Sequence, residues 1–211
     1  MPLSSRERVQ AAIHHEIPDR VPIIIGASNA TGIKMVTYRR LKKLLNFEAL
    51  ERYLYDFPEL GTALIDEPIL ERLHVDVRGV LDREPQHILE RNASREPDSM
   101  YVNSWGGGVT KAGPDNWFPS YHPLAETHAI EDLEKYPWPD MNDPTRVAHV
   151  RAHAQQLHQE NKYALMGTPW LAFPMERAYE MQRMDKFFLN MGRHPDFVVE
   201  LLKKTGEMCK T

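Results

Sequence analysis

Three short polar segments, each directly after a predicted strand, carry the residues best placed to do chemistry. They are residues 27–29, 81–83 and 167–170. In α/β proteins, ligands bind beyond the carboxyl ends of the parallel strands. We therefore expect Asn29, Asp82 and Trp170 to contact a substrate, by positioning it or stacking on it. A salt-bridged rim is the alternative role for Asp82 and Arg83.

An aromatic cluster lies in the irregular middle of the chain and comprises Trp105, Trp117, Phe118 and Tyr121. Aromatic rings in such loops can line a pocket for a large flat ligand. They can equally form a small core of their own under a long loop. The sequence leaves both interpretations open. In the first of them, Trp105, Trp117 and Tyr121 are substrate contacts.

Several motifs of metal and phosphate chemistry are incomplete. His149 and His153 are four residues apart on a predicted helix, but no glutamate follows His149, so the zinc-protease pattern is missing. We expect a structural or solvated role for both. The glycines at 106–108 lack the ending of a phosphate loop and indicate a hairpin tip. Cys209 is the only cysteine, which excludes an internal disulfide and a multi-cysteine metal site.

Composition narrows the class of protein. The chain has 211 residues, of which 27% are charged and 42% hydrophobic, and a net charge of -4. This balance is typical of a soluble globular domain and lacks the basic surface of a nucleic-acid-binding protein. No apolar run approaches the roughly 18 residues of a membrane span, and the first residues lack an apolar signal core. We expect neither nucleic acid nor membrane as a partner and, by default, a cytoplasmic location.

Strands alternate with helices along the chain, which predicts an α/β fold with parallel strands. A closed (β/α)8 barrel uses about 250 residues, so the alternatives are a small open sheet or part of a barrel. Buried strands are predicted at 21–25, 75–80 and 163–166. Helices are predicted from a Ser4–Glu7 capping box to Pro18 and at 35–45, 47–55, 68–73, 145–160, 174–184 and 195–208. The stretch 82–144 is an irregular insert with a hairpin at 100–111 and a short helix at 131–135.

Five segments resemble the uroporphyrinogen decarboxylase superfamily, and they occur in the family's order along almost the whole chain. The first, SSRERVQAAIHHEIPDRVPI, matches the capped helix that leads through Pro-Asp-Arg-Val-Pro into the first barrel strand. The others match the second-strand region, the Asp-Glu-Trp-Gly segment, the Tyr-Pro-Trp-Pro-Asp linker and a helix that starts with Asp-Pro-Glu. In this sequence the five are residues 4–23, 69–80, 102–109, 133–146 and 194–204.

The resemblance implies a (β/α)8 barrel of the uroporphyrinogen decarboxylase type, with residues 1–211 as the N-terminal portion of a single TIM-barrel domain. It implies one of two activities. One is decarboxylation of a porphyrinogen, and the other is transfer of a methyl group between a corrinoid and a thiol or folate acceptor. The decarboxylases carry an arginine-rich segment after the first strand, whereas residues 24–32 contain no arginine. The methyltransferase branch therefore fits better.

Two further departures concern the chemistry. The acids of the Asp-Glu-Trp-Gly segment are replaced by Asn103 and Ser104, so their role cannot be carried over. The family's methyltransferases bind zinc through His-x-Cys and a later cysteine in the second half of the barrel. Glu207 stands where that histidine would precede Cys209, so we expect no metal ligand and no certain cofactor in this chain. Zinc and a corrinoid or folate are implied by the resemblance alone.

The resemblance also implies partners. A small-molecule substrate, a corrinoid protein, and a second copy or another chain that completes the barrel are expected. The sequence ends before the second half of a barrel would begin, and such a portion would leave strand edges unpaired. The remaining alternative is a non-catalytic accessory subunit or a truncated barrel.

Overall fold

The computed structural model describes residues 2–57, 60–96, 99–113, 116–168 and 173–210, which form two compact units. The first unit comprises Met1–Glu84, Gly113–Asn116 and Thr145–Trp170. The second comprises Pro85–Ala112, Trp117–Pro144 and Leu171–Thr211. Each unit has a hydrophobic core of its own.

The elements confirm an α/β chain. The helices are α1 Ser5–Ile13, α2 Met35–Leu44, α3 Glu67–Arg72, α4 Gln86–Ala93, α5 Ile130–Lys135, α6 Val150–Glu160, α7 Pro174–Gln182, α8 Met184–Arg193 and α9 Pro195–Met208. The strands are β1 Val77–Leu81, β2 Tyr101–Val102, β3 Gly108–Lys111, β4 Trp117–Tyr121 and β5 Ala164–Thr168. Short 3-10 turns occupy Leu54–Asp56 and Pro144–Arg146. Within the described ranges, no helix combines the length and apolar character needed to cross a bilayer.

A parallel pair of strands, β1 and β5, forms the centre of the first unit. The register runs from Val77 opposite Ala164 to Leu81 opposite Thr168. Helices α1 and α6 pack against this pair. The second and third predicted strands and their parallel arrangement are therefore confirmed. Because the strands run in the same direction, Leu81 and Thr168 lie opposite each other at one edge.

The predicted first strand at 21–25 is wrong, since the structure has extended chain there but no strand. Val21 is 79% exposed, and a single backbone hydrogen bond joins this segment to the chain before β1, from the Asp76 N–H to the Ile23 carbonyl (2.8 Å). The Ile23 N–H donates to the Asp76 carboxylate instead of a neighbouring carbonyl (2.8 Å). The Asp76 side chain thus replaces the backbone carbonyl that would accept the next ladder hydrogen bond, and the strand pairing stops there.

The Asp76 carboxylate joins three parts of the first unit just before β1. Its side chain is completely buried. It accepts hydrogen bonds from the Ser5 hydroxyl and the Arg8 guanidinium, each at 2.7 Å, and from the Arg20 guanidinium at 2.7 and 2.8 Å. Together with the Ile23 N–H, these donors hold α1 and the extended segment against the start of the parallel pair.

The predicted helix at 47–55 is also wrong. Asn46 adopts a left-handed φ of 50° directly after α2, and the Phe47 N–H donates back to the Lys42 carbonyl (3.0 Å). The buried Lys42 ammonium donates to the Ala49 carbonyl (2.7 Å), which turns the following chain back along α2. The other predicted helices are confirmed in position, although α6 begins only at Val150, after a 3-10 turn.

The second unit combines the antiparallel sheet β2-β3-β4 with helices α5, α7, α8 and α9. The predicted hairpin is confirmed, and its turn is held by the Asn103 side chain, which accepts from the backbone N–H groups of Trp105 and Gly107 (3.0 Å each). Strand β4 and helices α4 and α8 were not predicted. Helix α8 follows α7 with only Arg183 between them, and the φ of 69° at Arg183 separates the two.

Candidate functional site

A cleft of about 270 Å³ opens in the first unit at the carboxyl end of β1. Tyr55 and Asp56 line one part of it, and Leu81, Asp82, Arg83, His149 and His153 line another. Two arginines, two aspartates, two histidines and two tyrosines are among the residues around it, so charged and polar groups reach a cleft whose exposed wall is otherwise mostly apolar. It lies where ligands bind in α/β proteins, beyond the carboxyl end of a parallel strand.

The loop that carries Asn29 is closed on itself and lies against β1. The Gly26 N–H donates to the Thr31 carbonyl (2.9 Å), and the Asn29 side chain accepts from the Thr62 hydroxyl (2.8 Å). Gly79 of β1 lets the loop approach, because a Cβ atom there would lie 2.7 Å from the Ala27 carbonyl oxygen. The backbone of this loop is thus set directly against the strand that leads to Asp82.

Tyr55 connects the two predicted residues Asn29 and Asp82. Its side chain is buried, and its backbone and that of Asp56 both adopt left-handed φ values, of 61° and 54°. Burial raises the pKa of Tyr55 to about 12, opposed by a hydrogen bond with the Asn29 backbone and reinforced by the nearby Asp82 carboxylate. Two successive left-handed residues cost backbone energy, which is often retained where a side chain must be aimed at a site.

Asp82 is paired with a buried arginine behind the cleft wall. The Arg146 side chain is 3% exposed, and one of its terminal nitrogens lies 3.7 Å from the Asp82 carboxylate. That separation is an ion pair but too long for a hydrogen bond. Among the described residues, neither terminal nitrogen of Arg146 has a hydrogen-bond partner. The Arg146 carbonyl accepts from the Arg83 N–H (3.2 Å), which fixes this arginine beside the end of β1.

His149 is held by one ring nitrogen and presents the other as an acceptor. Its Nε2 lies 2.9 Å from the Leu81 carbonyl oxygen, which can only accept, so Nε2 carries the proton. Nδ1 of the neutral ring then has a lone pair. It is buried and without a hydrogen-bond partner in the part of the chain that the structure describes.

The predicted aromatic contacts lie in the second unit. Trp105 is 2% exposed and belongs to its core, with Trp138 edge-on at 6.5 Å and the Arg177 guanidinium 5.0 Å from its ring. Trp117 and Tyr121 lie on β4, and Tyr121 is 51% exposed. The cluster is therefore divided between core and surface. Trp170 lies outside the described residues.

The site residues that sequence reasoning missed are Tyr55, Arg146 and His149. Tyr55 falls in a stretch predicted as helix, and its position follows from left-handed backbone that no local pattern indicated. His149 was assigned a structural or solvated role, and the structure places it on the cleft wall. The sequence did not indicate its position at the start of α6, because the predicted helix at 145–160 contains residue 149.

The donor atoms do not fit a zinc site of the family's type. No cluster of three or more histidine, cysteine, aspartate or glutamate side chains suited to a metal occurs among the described residues. Burial raises the pKa of the Cys209 thiol, which disfavours the thiolate that binds zinc. We therefore derive no step through zinc.

The chain was compared with known proteins. No protein-family model and no curated protein matches it. Among solved structures, it is similar to a methyltransferase from Methanosarcina mazei, with 17% sequence identity and a TM-score of 0.49. The similarity covers 98% of this chain and 53% of that protein, so the chain spans about half the length of that methyltransferase.

Proposed function

We propose that the chain acts as a methyltransferase of the uroporphyrinogen decarboxylase type, with a small acceptor bound in the cleft at the carboxyl end of β1. The observation that carries this proposal is the cleft itself, with Tyr55, Asp82 and His149 on its walls. It lies at the carboxyl edge of the parallel strands. The segments that resemble the superfamily, in their order along this sequence, lead us to expect substrate at that edge.

The proposed barrel architecture has support in the order of neighbouring segments. The chain at 21–27 approaches this region at two points, Ile23 at Asp76 just before β1 and Ala27 at Gly79 within it, and β5 pairs with β1. In a (β/α)8 barrel, strands adjacent in sequence are adjacent in space. The three segments follow one another in that manner, although the first lacks a strand's hydrogen bonds.

The size of the cleft favours a small methyl acceptor over a porphyrinogen. At about 270 Å³, it is at or below the lower limit of the roughly 300–1,000 Å³ typical of sites for drug-sized ligands, and a tetrapyrrole is larger. The loop at 26–32 contributes Asn29 and no cation. A thiol or a folate amine group fits these dimensions as the part that enters the cleft.

Three side chains of the cleft have distinct tasks in this proposal. The Tyr55 phenol, with its pKa raised to about 12, remains a neutral donor at physiological pH. The Asp82 carboxylate accepts hydrogen bonds and orients the acceptor. The His149 Nδ1 accepts a proton when the acceptor group loses one. A methyl corrinoid, when bound, would supply an electrophilic methyl group to the acceptor that these residues hold.

Methyl transfer from methylcobalamin to a series of small thiols and to a reduced folate tests this function, with the appearance of cob(I)alamin as the readout. We expect turnover with at least one acceptor, and a loss of about tenfold or more in Asp82→Asn. Asp185→Asn is the matched control, because its carboxylate is exposed and lies in the second unit. The absence of turnover with every acceptor would contradict the proposal.

Porphyrinogen decarboxylation is the second candidate, and one observation favours it. Arg52 and Arg83 both line the cleft and supply cations that the 26–32 loop lacks. Guanidinium groups bind substrate carboxylates through paired hydrogen bonds. Incubation with uroporphyrinogen decides between the candidates, since coproporphyrinogen forms only if the protein is a decarboxylase.

A further inference from the structure

Three buried polar atoms of the segment just before α6 lack hydrogen-bond partners, and their side chains lie near the end of β1. They are both terminal nitrogens of Arg146 and Nδ1 of His149, judged against the described residues. Arg146 approaches Asp82, and His149 holds the carbonyl of the preceding residue, Leu81. Arg146 and His149 thus approach two consecutive residues that line the cleft, with Arg146 behind the cleft wall.

Such atoms are rare in folded proteins, because a buried donor or acceptor that loses water without gaining a partner is strongly unfavourable. The cost is greatest for the guanidinium of Arg146, which is charged. The contact of 3.7 Å with Asp82 offsets charge but supplies no hydrogen bond. Arg78, a buried arginine of the same unit, shows the usual arrangement, since it donates to Glu67 at 2.7–3.0 Å. A ligand that accepts hydrogen bonds from Arg146 would give this guanidinium the kind of partner that Arg78 already has.

The types of the three atoms define the chemistry of that ligand. The two terminal nitrogens of a guanidinium form a planar fork that fits two oxygens of an oxyanion. Nδ1 of His149 is an acceptor, because Nε2 holds the proton, and it requires a hydrogen on the ligand. A carboxylate, a sulfonate or sulfate has no proton at neutral pH. Hydrogen phosphate and monoprotonated phosphonate carry both the acceptor oxygens and an O–H group.

We propose that Arg146 and His149 together bind a protonated phosphate or phosphonate group at the end of β1, with the guanidinium donating to two oxygens and Nδ1 accepting from the third. This inference goes beyond methyl transfer and does not depend on it. The group is either free phosphate or part of a larger molecule that enters the cleft. The Nδ1 acceptor is what distinguishes phosphate from sulfate.

Isothermal titration of the protein with inorganic phosphate, methylphosphonate, sulfate and acetate tests the proposal. We expect phosphate to bind about tenfold or more tightly than sulfate or acetate, since only phosphate satisfies Nδ1. Binding of methylphosphonate as well supports a substituted group, whereas binding of phosphate alone supports the free anion. Equal binding of phosphate and sulfate would overturn the proposal.

Substitutions test the contributions of Arg146 and His149 to phosphate binding separately. Arg146→Gln is expected to weaken phosphate binding by about tenfold or more, because charged hydrogen bonds are lost. His149→Gln keeps a donor for the Leu81 carbonyl and loses the acceptor, so phosphate affinity should fall to that of sulfate. Arg151→Gln removes one exposed arginine from α6 and should bind phosphate as the unmodified protein does. Unchanged phosphate affinity in Arg146→Gln would refute the assignment.

A measurement on the unmodified protein covers the case in which Arg146→Gln fails to fold. Nitrogen-15 NMR of the imidazole should show the Nε2–H tautomer of His149, and phosphate should shift its Nδ1 resonance while sulfate leaves it unchanged. A His149 ring protonated at Nδ1 alone, or a response to both anions, would contradict the proposed contact. Neither result depends on catalytic activity, so this test is independent of the methyltransferase assay.

Discussion

Replacing Asp76 should destabilise the first unit more than any other single loss of a carboxylate described above. Its buried side chain accepts from Ser5, Arg8, Arg20 and the Ile23 N–H, at 2.7–2.8 Å. In Asp76→Ala, these donors lose their acceptor at once. The extended chain at 21–25 then loses one of the two hydrogen bonds, from the Ile23 N–H, that tie it to the chain before β1.

The size of the effect follows from which donors remain satisfied. Breaking a buried ion pair costs about 3–5 kcal/mol. Arg8 keeps its bonds to Asp19 and to the Leu3 carbonyl, and Arg20 is 37% exposed, so both recover part of the loss. We therefore expect the lower end, about 3 kcal/mol. That corresponds to a fall in the unfolding midpoint of about 6–12 °C, at about 2–4 °C per kcal/mol for a chain of this length.

Urea and thermal unfolding followed by circular dichroism at pH 7 measure this difference. Asp185→Asn is the control: its pKa is also lowered, to about 2, by Arg183, but the pair is exposed and its loss should change the midpoint little. A fall of less than about 1 kcal/mol in Asp76→Ala would refute the reasoning, because surface substitutions alone produce changes of about ±0.5 kcal/mol.

The pH dependence provides a second test of Asp76. Burial acts to raise the pKa of this carboxyl, but the hydrogen bonds from Ile23, Arg20, Ser5 and Arg8 outweigh it, and the pKa is lower than usual. The stabilisation is therefore complete above the unfolded-state pKa of about 4 and is lost as the pH falls through the folded-state value. The stability difference between the protein and Asp76→Asn should be constant near neutral pH and shrink in acid.

Three further predictions test other parts of the structure. Tyr55→Phe removes the phenol beside Asp82, and we expect methyl transfer to fall about tenfold or more in the cobalamin assay with an unfolding midpoint lowered by only a few degrees. Trp105→Ala should destabilise the second unit by about 3–5 kcal/mol in urea unfolding, whereas Phe118→Ala, 61% exposed, should not. Arg183→Gly should raise the thermal midpoint by about 2–4 °C, because glycine accepts the φ of 69° without strain. Full activity in Tyr55→Phe would contradict the role of its hydroxyl in the cleft. Equal stability of the Trp105 and Phe118 variants would contradict the core position of Trp105. A lower midpoint in Arg183→Gly would contradict backbone strain at Arg183.

Local sequence patterns predicted the elements whose causes are local. The capping box predicted the start of α1, and the structure shows both of its hydrogen bonds, between Ser4 and Glu7. Prolines at the first turn predicted α7 and α9, and Pro195–Met208 was predicted with its observed bounds. The observed strands β1 (77–81) and β5 (164–168) are parallel, as predicted, and Asp82 directly follows the carboxyl end of β1.

The failures have tertiary causes. The apolar run at 21–25 has the composition of a strand, but the Asp76 carboxylate takes the N–H that a neighbouring carbonyl would need. Tyr55 reaches the cleft only through two left-handed residues, which no periodicity indicates. The roles of Arg146 and His149 depend on partners that are distant in sequence. Arg146 pairs with Asp82 and His149 with Leu81, and the chain passes through the second unit between these two pairs of positions.

The contact between Gly79 and Ala27 sets the distance between the Asn29 loop and β1, which forms part of the cleft wall. With an alanine at position 79, Cβ would lie 2.7 Å from a backbone oxygen, about 0.7 Å short of the 3.4 Å at which ordinary contact begins. The Asn29 loop would have to shift by that amount away from β1 and its Asp82. Misplacement of reacting groups by about 1 Å can lower a rate about a hundredfold. The hydrogen atom of Gly79 thus acts as a spacer of fixed size, which sets how closely the Asn29 loop lies against a strand of the cleft wall.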